Sequence, residues 1–465
     1  MNETNNVIKK GPFSWIKNGF HILGQSYKLG GVKTILSTFL FGMGSILRKQ
    51  FLKGFALLVS EAALLAYLIC FGFQYLAKLA TLGTSATVKV EVIPGVFTTE
   101  YGDNSFFILL FGILSIFVVI LFLFLMSVSI TANYKEEMLL RDGKKLPTNR
   151  QAFASLFDQH FDKTLLAIPV TGIMIFTVIP IIFMICVAFT NYNSRNLPPE
   201  KLFQWVGFDN FAQLFDFTKG LGSTFTSVLG WTLVWAIFAT FLNYILGIAV
   251  AMLINKKGIK LKKMWRTILV ITIAVPQFVS LLYMHSLFAD DGLVNGLLMQ
   301  LGWIKDEIHF WSDPFLTKVL IVVINLWIGI PYLMLISTGI LMNIPEDLYE
   351  SARIDGANAW QSFVHITMPY MLFVTGPYLL TSFIGNLNNF NVIYLLSQGK
   401  PLGNGLQQNA GNSDLLITWL FKMTSDDSNY AMAAVLGIMV FVVVAVISLA
   451  VYRVLPSVKD EEGFQ

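Results

Sequence analysis

Eight apolar runs, each long enough to cross a bilayer, constrain this chain more than any other feature of its sequence. A hydrocarbon core of about 30 Å takes roughly 20 helical residues to cross. The runs fall near residues 55–79, 106–132, 165–190, 227–254, 267–288, 315–342, 370–396 and 431–452. In lipid a lone segment has to satisfy its own backbone N–H and C=O groups, so runs of this length fold as helices. The expected fold class is all-α, a polytopic membrane protein with eight transmembrane helices. Composition agrees, because a 465-residue chain that is 55% hydrophobic and 13% charged lies outside the range of ordinary soluble proteins. Cys70 and Cys186 both sit in apolar runs and read as small packing residues.

An even number of spans puts both ends on one side, and the basic residues say which. Lys9, Lys10, Lys17, Lys28, Lys33, Arg48, Lys49 and Lys53 precede the first span, and further clusters lie at residues 135–163 and 256–266. The alternate loops carry few, so both termini are expected in the cytoplasm. The net charge of +4 follows from this topology and does not point to nucleic acid. The first 53 residues lack a cleavage site after an apolar core and are not expected to be a cleaved signal. Phe13, Ile16, Phe20 and Leu23 share a helical face, and residues 35–47 are apolar but too short to span. Both are expected to lie along the inner membrane surface. Outside, residues 87–93 alternate like a strand ahead of Pro94-Gly95, which predicts a small hairpin.

Chemistry is sparse within the spans. An ion-coupled carrier places carboxylates or His near the bilayer centre, whereas here, apart from Lys78 at the very end of the first run, the predicted spans hold only Glu61, Lys318 and, near an outer end, His285. These read as structural or interfacial. No Gly-Lys pair is followed by Ser or Thr, so the phosphate-binding loop of an ATPase is missing, and the His residues show no metal-ligand or catalytic-triad spacing. No cofactor, metal or catalytic residue is assigned to this chain. Two polar stripes remain at helical spacing: Asn325, Gly329 and Tyr332, beside Pro331, and then Ser382, Gly385, Asn386 and Asn389. Such stripes face a bundle interior. Small and amide side chains there serve either as interhelical glue or as a sugar site, in which amides donate to and accept from hydroxyls while a ring such as Tyr332 or Phe390 stacks on the sugar's apolar face.

Between the sixth and seventh spans lies a water-soluble interruption, residues 346–369, EDLYESARIDGANAWQSFVHITMP. It reads as two short helices and a turn. Asn343 is expected to cap the first with Glu346 in capping-box spacing, Asp355-Gly356 to break it, and Pro369 to stop the second. Gly356 supplies the positive φ of the turn. Ala357, Trp360, Phe363 and Val364 share one side of the second helix, an apolar face that suits a groove in another protein or the membrane surface.

Glu350-Ser351-Ala352, Asp355-Gly356-Ala357, Ile366 and Pro369 resemble the "EAA" coupling motif of permease subunits of binding-protein-dependent ABC importers, with Ser351 and Met368 as mild departures. The resemblance implies that Glu350, Ala352, Asp355, Gly356, Ala357, Trp360, Phe363 and Pro369 dock the loop into a cleft on an ATPase subunit. NLWIGIPY at 325–332 and SFIGNLNNF at 382–390 are similar to segments lining the sugar site in the larger permease subunit of maltose transporters. VGFDNF at 206–211, Ser312-Asp313-Pro314 and Asp414-Leu415-Leu416 extend the similarity over most of residues 165–452. It implies sugar contacts from Ile328, Gly329, Tyr332, Ser382, Gly385, Asn386 and Asn389. At position 385 a maltose permease offers an aromatic ring where this chain has glycine, which puts a strict preference for maltose in doubt.

The layout expected on this basis is a basic N-terminal segment (1–53), two spans with a short outer loop (54–132), a cytoplasmic linker (133–164), a six-helix transport core (165–452) containing the coupling loop (343–369), and a tail (453–465). The implied partners are a second, homologous permease subunit, two copies of an ATPase subunit that bind the ATP and Mg, an extracellular sugar-binding lipoprotein, and membrane lipids. The short 191–226 loop, where maltose permeases of Gram-negative bacteria carry a whole domain, suggests the cell membrane of a Gram-positive bacterium. Maltodextrins are the first expected substrates, with galacto-oligosaccharides or other glycan fragments as the alternative. An ion-coupled sugar carrier is more distant, and a membrane enzyme or scaffold is disfavoured by the missing catalytic constellation.

Overall fold

A computed structural model describes residues 14–218, 220–256 and 258–454. The chain is an all-α polytopic membrane protein. Among the described residues, seven helices are long and apolar enough to cross a membrane: Phe51–Lys78, Ser105–Arg141, Phe161–Val187, Gly220–Asn255, Pro314–Leu341, Ala359–Leu387 and Tyr430–Arg453. The expected fifth span is a broken pair, Lys262–Ala274 and Gln277–Leu287, bent by 92°, and it makes the eighth crossing if the pair is one span. The break has a local cause. Pro276 carries no N–H and bars the α conformation to its neighbour, and Val275 accordingly sits at φ −84°, ψ 129°.

The chain divides into two compact units, Met1–Cys186 with Arg195–Trp205, and Val187–Ser194 with Val206–Gln465. In the first unit, residues 35–47, expected along the inner membrane surface, are packed on one side: short helices Val32–Leu36 and Met43–Ile46 fold back against the first two spans, while Ile35, Phe39, Leu40 and Leu47 stay exposed. Phe41 is fully buried, with its ring 4.9 Å from that of Phe122. A reversal this sharp exposes backbone N–H groups inside an apolar region, and each needs an acceptor. Glu61 Oε2 takes the Phe41 N–H at 2.7 Å, and Ser129 Oγ takes that of Gly42 at 2.9 Å. Gly42, at φ +75°, packs so closely on Gly54 that a Cβ would meet the Gly54 carbonyl oxygen at 2.5 Å.

Nearer the helix ends, Arg48 donates to Asn133 Oδ1 at 2.8 Å and Glu137 Oε2 at 3.2 Å, while Lys53 Nζ lies 2.7 Å from Glu136. Glu137 also accepts from the Gly31 N–H and the Thr34 hydroxyl, both at 2.8 Å. Glu61 is therefore a structural acceptor. The preceding helix, Ser14–Leu29, leaves Phe20 exposed and Leu23 half-buried. Phe13, expected on the same face, lies outside the described residues.

The predicted hairpin forms from β1 (Val88–Ile93) and β2 (Val96–Glu100), antiparallel, with Ile93 opposite Val96 across Pro94-Gly95. Gly95 adopts φ +85°, and its N–H reaches Glu91 Oε1 at 2.7 Å. At the hairpin's base Asp103 accepts from Lys78 Nζ at 2.6 Å and from the Thr84 N–H at 2.9 Å. The Lys78 hydrogen bond, then that of Thr84, holds the Asp103 carboxyl below the usual carboxylate range.

In the second unit, Trp235, Leu281, Ile321, Ile324, Val392 and Ile393 belong to one buried cluster. Lys318 lies 4.7 Å from the centroid of the Trp231 ring, and His285 Nδ1 is 2.6 Å from the Leu396 carbonyl with its ring stacked on Trp311, so both are held in packing roles. The loop after residue 396 is anchored by Asp414. This fully buried carboxylate accepts from the Gly411 N–H (2.7 Å), the Thr418 hydroxyl (2.8 Å) and Lys422 Nζ (2.7 Å). Burial pushes its pKa up, and these three donors oppose that.

Candidate translocation site and coupling loop

The two polar stripes lie on the sixth and seventh spans, and the fourth span brings them into register. The sixth span begins on an Asp313 cap, whose carboxylate accepts the N–H groups of Phe315 and Leu316 at 2.9 and 2.7 Å, with Pro314 in the first turn. It packs along the fourth span through glycine on both sides. A Cβ at Gly247 would meet that of Leu333 at 2.6 Å, and one at Gly329 would meet the Asn243 amide at 2.7 Å. Gly329 is thus a close-approach position.

The seventh span ends at Leu387, and a short helix, Phe390–Leu396, restarts with Asn389 as its cap, its Oδ1 accepting the Val392 N–H at 3.3 Å. Asn386 sits at the break. Its Nδ2 donates to Thr240 Oγ1 at 2.9 Å, its Oδ1 accepts from Asn389 Nδ2 at 3.2 Å, and its backbone carbonyl accepts from Trp235 Nε1 at 3.1 Å. Part of the stripe therefore acts as interhelical glue. Each amide offers two donors and two acceptor positions, so these bonds leave both asparagines with capacity to spare.

The other predicted residues divide by exposure. Ile328 packs against the buried cluster, and Ser382 is half-buried. Tyr332 is half-exposed, with its ring 6.5 Å from Tyr378. Gly385 is exposed, and a Cβ there would meet nothing within 4 Å among the described residues. Phe390 is stacked on Tyr394 at 4.8 Å and meets Phe421 edge-on. Thr240 and Asn243 were not singled out from the sequence. In sequence each is a lone polar residue in an apolar run, and only the fold sets Thr240 against Asn386 and Asn243 against Gly329.

The loop between the sixth and seventh spans folds as two helices. The first, Glu346–Ile354, starts on Pro345 without a side-chain cap, so the expected Asn343 cap is corrected: Pro345 supplies a helix-ready φ, and the helix opens two residues later. Its end is a Schellman turn. Gly356 takes φ +81°, its N–H reaches the Arg353 carbonyl at 3.1 Å, and the Ala357 N–H reaches that of Ala352 at 2.8 Å. Ala352 and Ala357 are thereby the two small residues that close the turn, beside Asp355 as its cap.

Asn358 then caps the second helix through a capping box with Gln361. Pro369 does not stop it: the helix runs on to Leu387 through a π-turn at Phe363–Thr367. The widened turn lies directly before the proline, where an α-helix would lose a hydrogen bond. Of the expected apolar side, Trp360 is 70% exposed and Val364 is exposed, whereas Phe363 turns partly into the core formed with Tyr244 and Ile248. Ile354, 86% exposed, joins Trp360 as an exposed apolar group that periodicity did not reveal. Glu350 is exposed on the first helix, and Tyr349 ties that helix to the base of the seventh span through Thr367 at 2.9 Å.

Residues 243–460 match the family described as "binding-protein-dependent transport system inner membrane component". Over 455 residues the chain is 35% identical to the maltodextrin transport system permease protein MdxF of Bacillus subtilis, covering 96% of this chain and 99% of that one. The chain belongs to this permease family.

The galactooligosaccharides transport system permease GanP of the same organism is 35% identical over 434 residues, 92% of this chain and 98% of its own length. The maltose/maltodextrin permease MalF of Vibrio vulnificus matches 263 residues at 33% identity, 56% of this chain and 50% of its own. A solved bacterial ABC transporter involved in import of the polysaccharide alginate shares the fold, with a TM-score of 0.52 at 22% identity over 65% of this chain and 97% of its own. These relatives are transport permeases, not enzymes. As a permease of this family, the chain is an integral membrane protein, and both its polar stripes and its soluble loop fall within the matched region.

Proposed function

We propose that the chain is one of two homologous permease subunits of an ATP-driven importer of neutral oligosaccharides, maltodextrins first. The observation that carries the reading is the chemistry of the stripes. Amides, hydroxyls and glycine from the fourth, sixth and seventh spans meet with no Asp, Glu, Lys, Arg or His among the described residues of the stripes, which suits an uncharged polyol and not an ion. Ile328, Gly329, Tyr332, Ser382, Gly385, Asn386 and Asn389 contact the sugar, with Tyr332 as the stacking ring. The Gly356 loop, with Glu350, Trp360 and Phe363, docks on one of two ATPase subunits, which bind ATP and Mg. ATP binding moves both coupling loops and switches the pathway between inward-facing and outward-facing states by rigid-body motion.

Both termini are cytoplasmic, and a binding lipoprotein delivers sugar at the outer face of a Gram-positive cell membrane. Likeness over nearly the whole length to a permease named for galactooligosaccharides supports these as a second substrate class. The absent side chain at Gly385 leaves room for a differently linked chain. The test is reconstitution with the co-expressed permease, ATPase and binding protein, followed by ATPase and uptake assays with glucose- and galactose-based oligosaccharides. Sugar-stimulated hydrolysis with matching uptake is expected. Uptake driven by an ion gradient without ATP refutes the reading.

A further inference from the structure

The fourth span places one more polar group in this site. Asn243 is 5% exposed, its Nδ2 donates to the Ala239 carbonyl at 2.8 Å, and its Oδ1 is buried with no donor among the described residues. Three turns further along the same helix, Asn255 repeats the Nδ2 bond, to the Ala251 carbonyl at 2.8 Å, and there Arg266 donates to the amide oxygen. An asparagine used only as glue has both ends engaged, as Asn255 does. Asn243 has one end left over.

The position of that end is specific. The Asn243 amide occupies the space that a side chain at Gly329 would fill. At this level of the Asn325–Gly329–Tyr332 stripe, the polar group therefore comes from the fourth span. Directly before Asn243 the helix widens into a π-turn, Phe238–Leu242, a deviation that recurs at functional sites. Thr240, within that turn, holds Asn386 at 2.9 Å. One short segment of the fourth span thus addresses both stripes at once.

We infer that Asn243 is a further sugar contact, its Oδ1 accepting a hydroxyl of the passing oligosaccharide, with Thr240 positioning Asn386 beside it. The inference rests on the sugar site proposed above. A hydroxyl is the fitting partner because it donates without charge, and no cation or anion is matched by the uncharged amides around it.

The test compares uptake of maltotriose and its single-deoxy analogues by the reconstituted complex carrying wild-type chain, Asn243→Leu, Asn243→Ser or Asn389→Ala, with thermal unfolding of each. For Asn243→Leu, uptake of maltotriose at subsaturating sugar is expected to fall roughly tenfold, the worth of one such hydrogen bond. One deoxy analogue that wild type takes up poorly is expected to be handled like maltotriose by that variant. The midpoint of unfolding is expected to hold or rise, because an unpaired buried oxygen is removed; a structural asparagine would lower it. Asn243→Ser, smaller and polar, is expected to retain part of the discrimination, and it carries the comparison if the leucine variant does not assemble. If Asn389→Ala impairs uptake while both Asn243 variants discriminate the analogues as wild type does, this inference falls and the site stands. If Asn389→Ala is also without effect, the site itself falls.

Discussion

Gly356→Ala tests the turn of the coupling loop directly. At φ +81° an L-residue costs about 1–2 kcal/mol in the left-handed region. A Cβ there meets nothing within 4 Å among the described residues, so no clash adds to the backbone cost. That cost reduces the population of the Schellman turn by a factor of roughly 5–30. Because the turn sets the angle between Glu346–Ile354 and the helix from Ala359, in the proposed complex the loss reads out as weaker coupling to the ATPase. The assay is sugar-stimulated ATP hydrolysis by the reconstituted complex, with co-purification of the ATPase as a control. Asparagine tolerates positive φ better than alanine, and β-branched valine less well. Stimulation is therefore expected to fall in the order glycine, asparagine, alanine, valine, while the unfolding of the spans is little changed. If alanine and valine keep full stimulation, or asparagine does no better than valine, positive φ is not what Gly356 supplies.

Two further outcomes follow from the first unit. Glu61→Leu leaves the buried Phe41 N–H without its acceptor and is expected to destabilise by about 1–3 kcal/mol, while Glu61→Gln keeps an acceptor oxygen and loses less; equal losses in thermal unfolding would refute the assignment. The Asp103 carboxyl is held below its ordinary value of 3.8, so its contribution is fully present above that pH and is lost as pH falls through the lowered folded value. Hydrogen exchange at the base of the hairpin is expected to quicken over that acid range in wild type and to lose the dependence in Asp103→Asn; an unchanged acid profile in the variant would refute it.

Much of this architecture is legible in hydropathy, since a run of 20 apolar residues has few folds open to it in lipid. The 92° bend at Val275-Pro276 is not, because composition measures length and not direction. The fold-back of residues 35–47 onto the first two spans is not legible either, because a short apolar segment suits a surface and a buried turn equally well. Its signals are Glu61 in an apolar run and the close pair Gly42 and Gly54, and they acquire meaning only together. In the candidate site, the stripes were readable from spacing within one helix. Thr240 and Asn243 were not, because their partners lie on other helices. At the loop, Gly356 carries a local signal and was placed correctly, whereas the continuation past Pro369 depends on a π-turn that no residue type announces.

The N-terminal fold-back also sets an order of events during synthesis. Gly31 bonds Glu137 across 106 residues, and Arg48 bonds Asn133 across 85. At about 5–20 residues per second, Arg48 leaves the ribosome several seconds before any of these partners exists. An unpaired guanidinium is costly in hydrocarbon, so the segment has to wait in water until the second span is inserted. The first part of this unit to be made is among the last to settle. A chain arrested before residue 133 is accordingly expected to leave Arg48 and Lys49 open to trypsin, and the same bonds are shielded once the second span is complete.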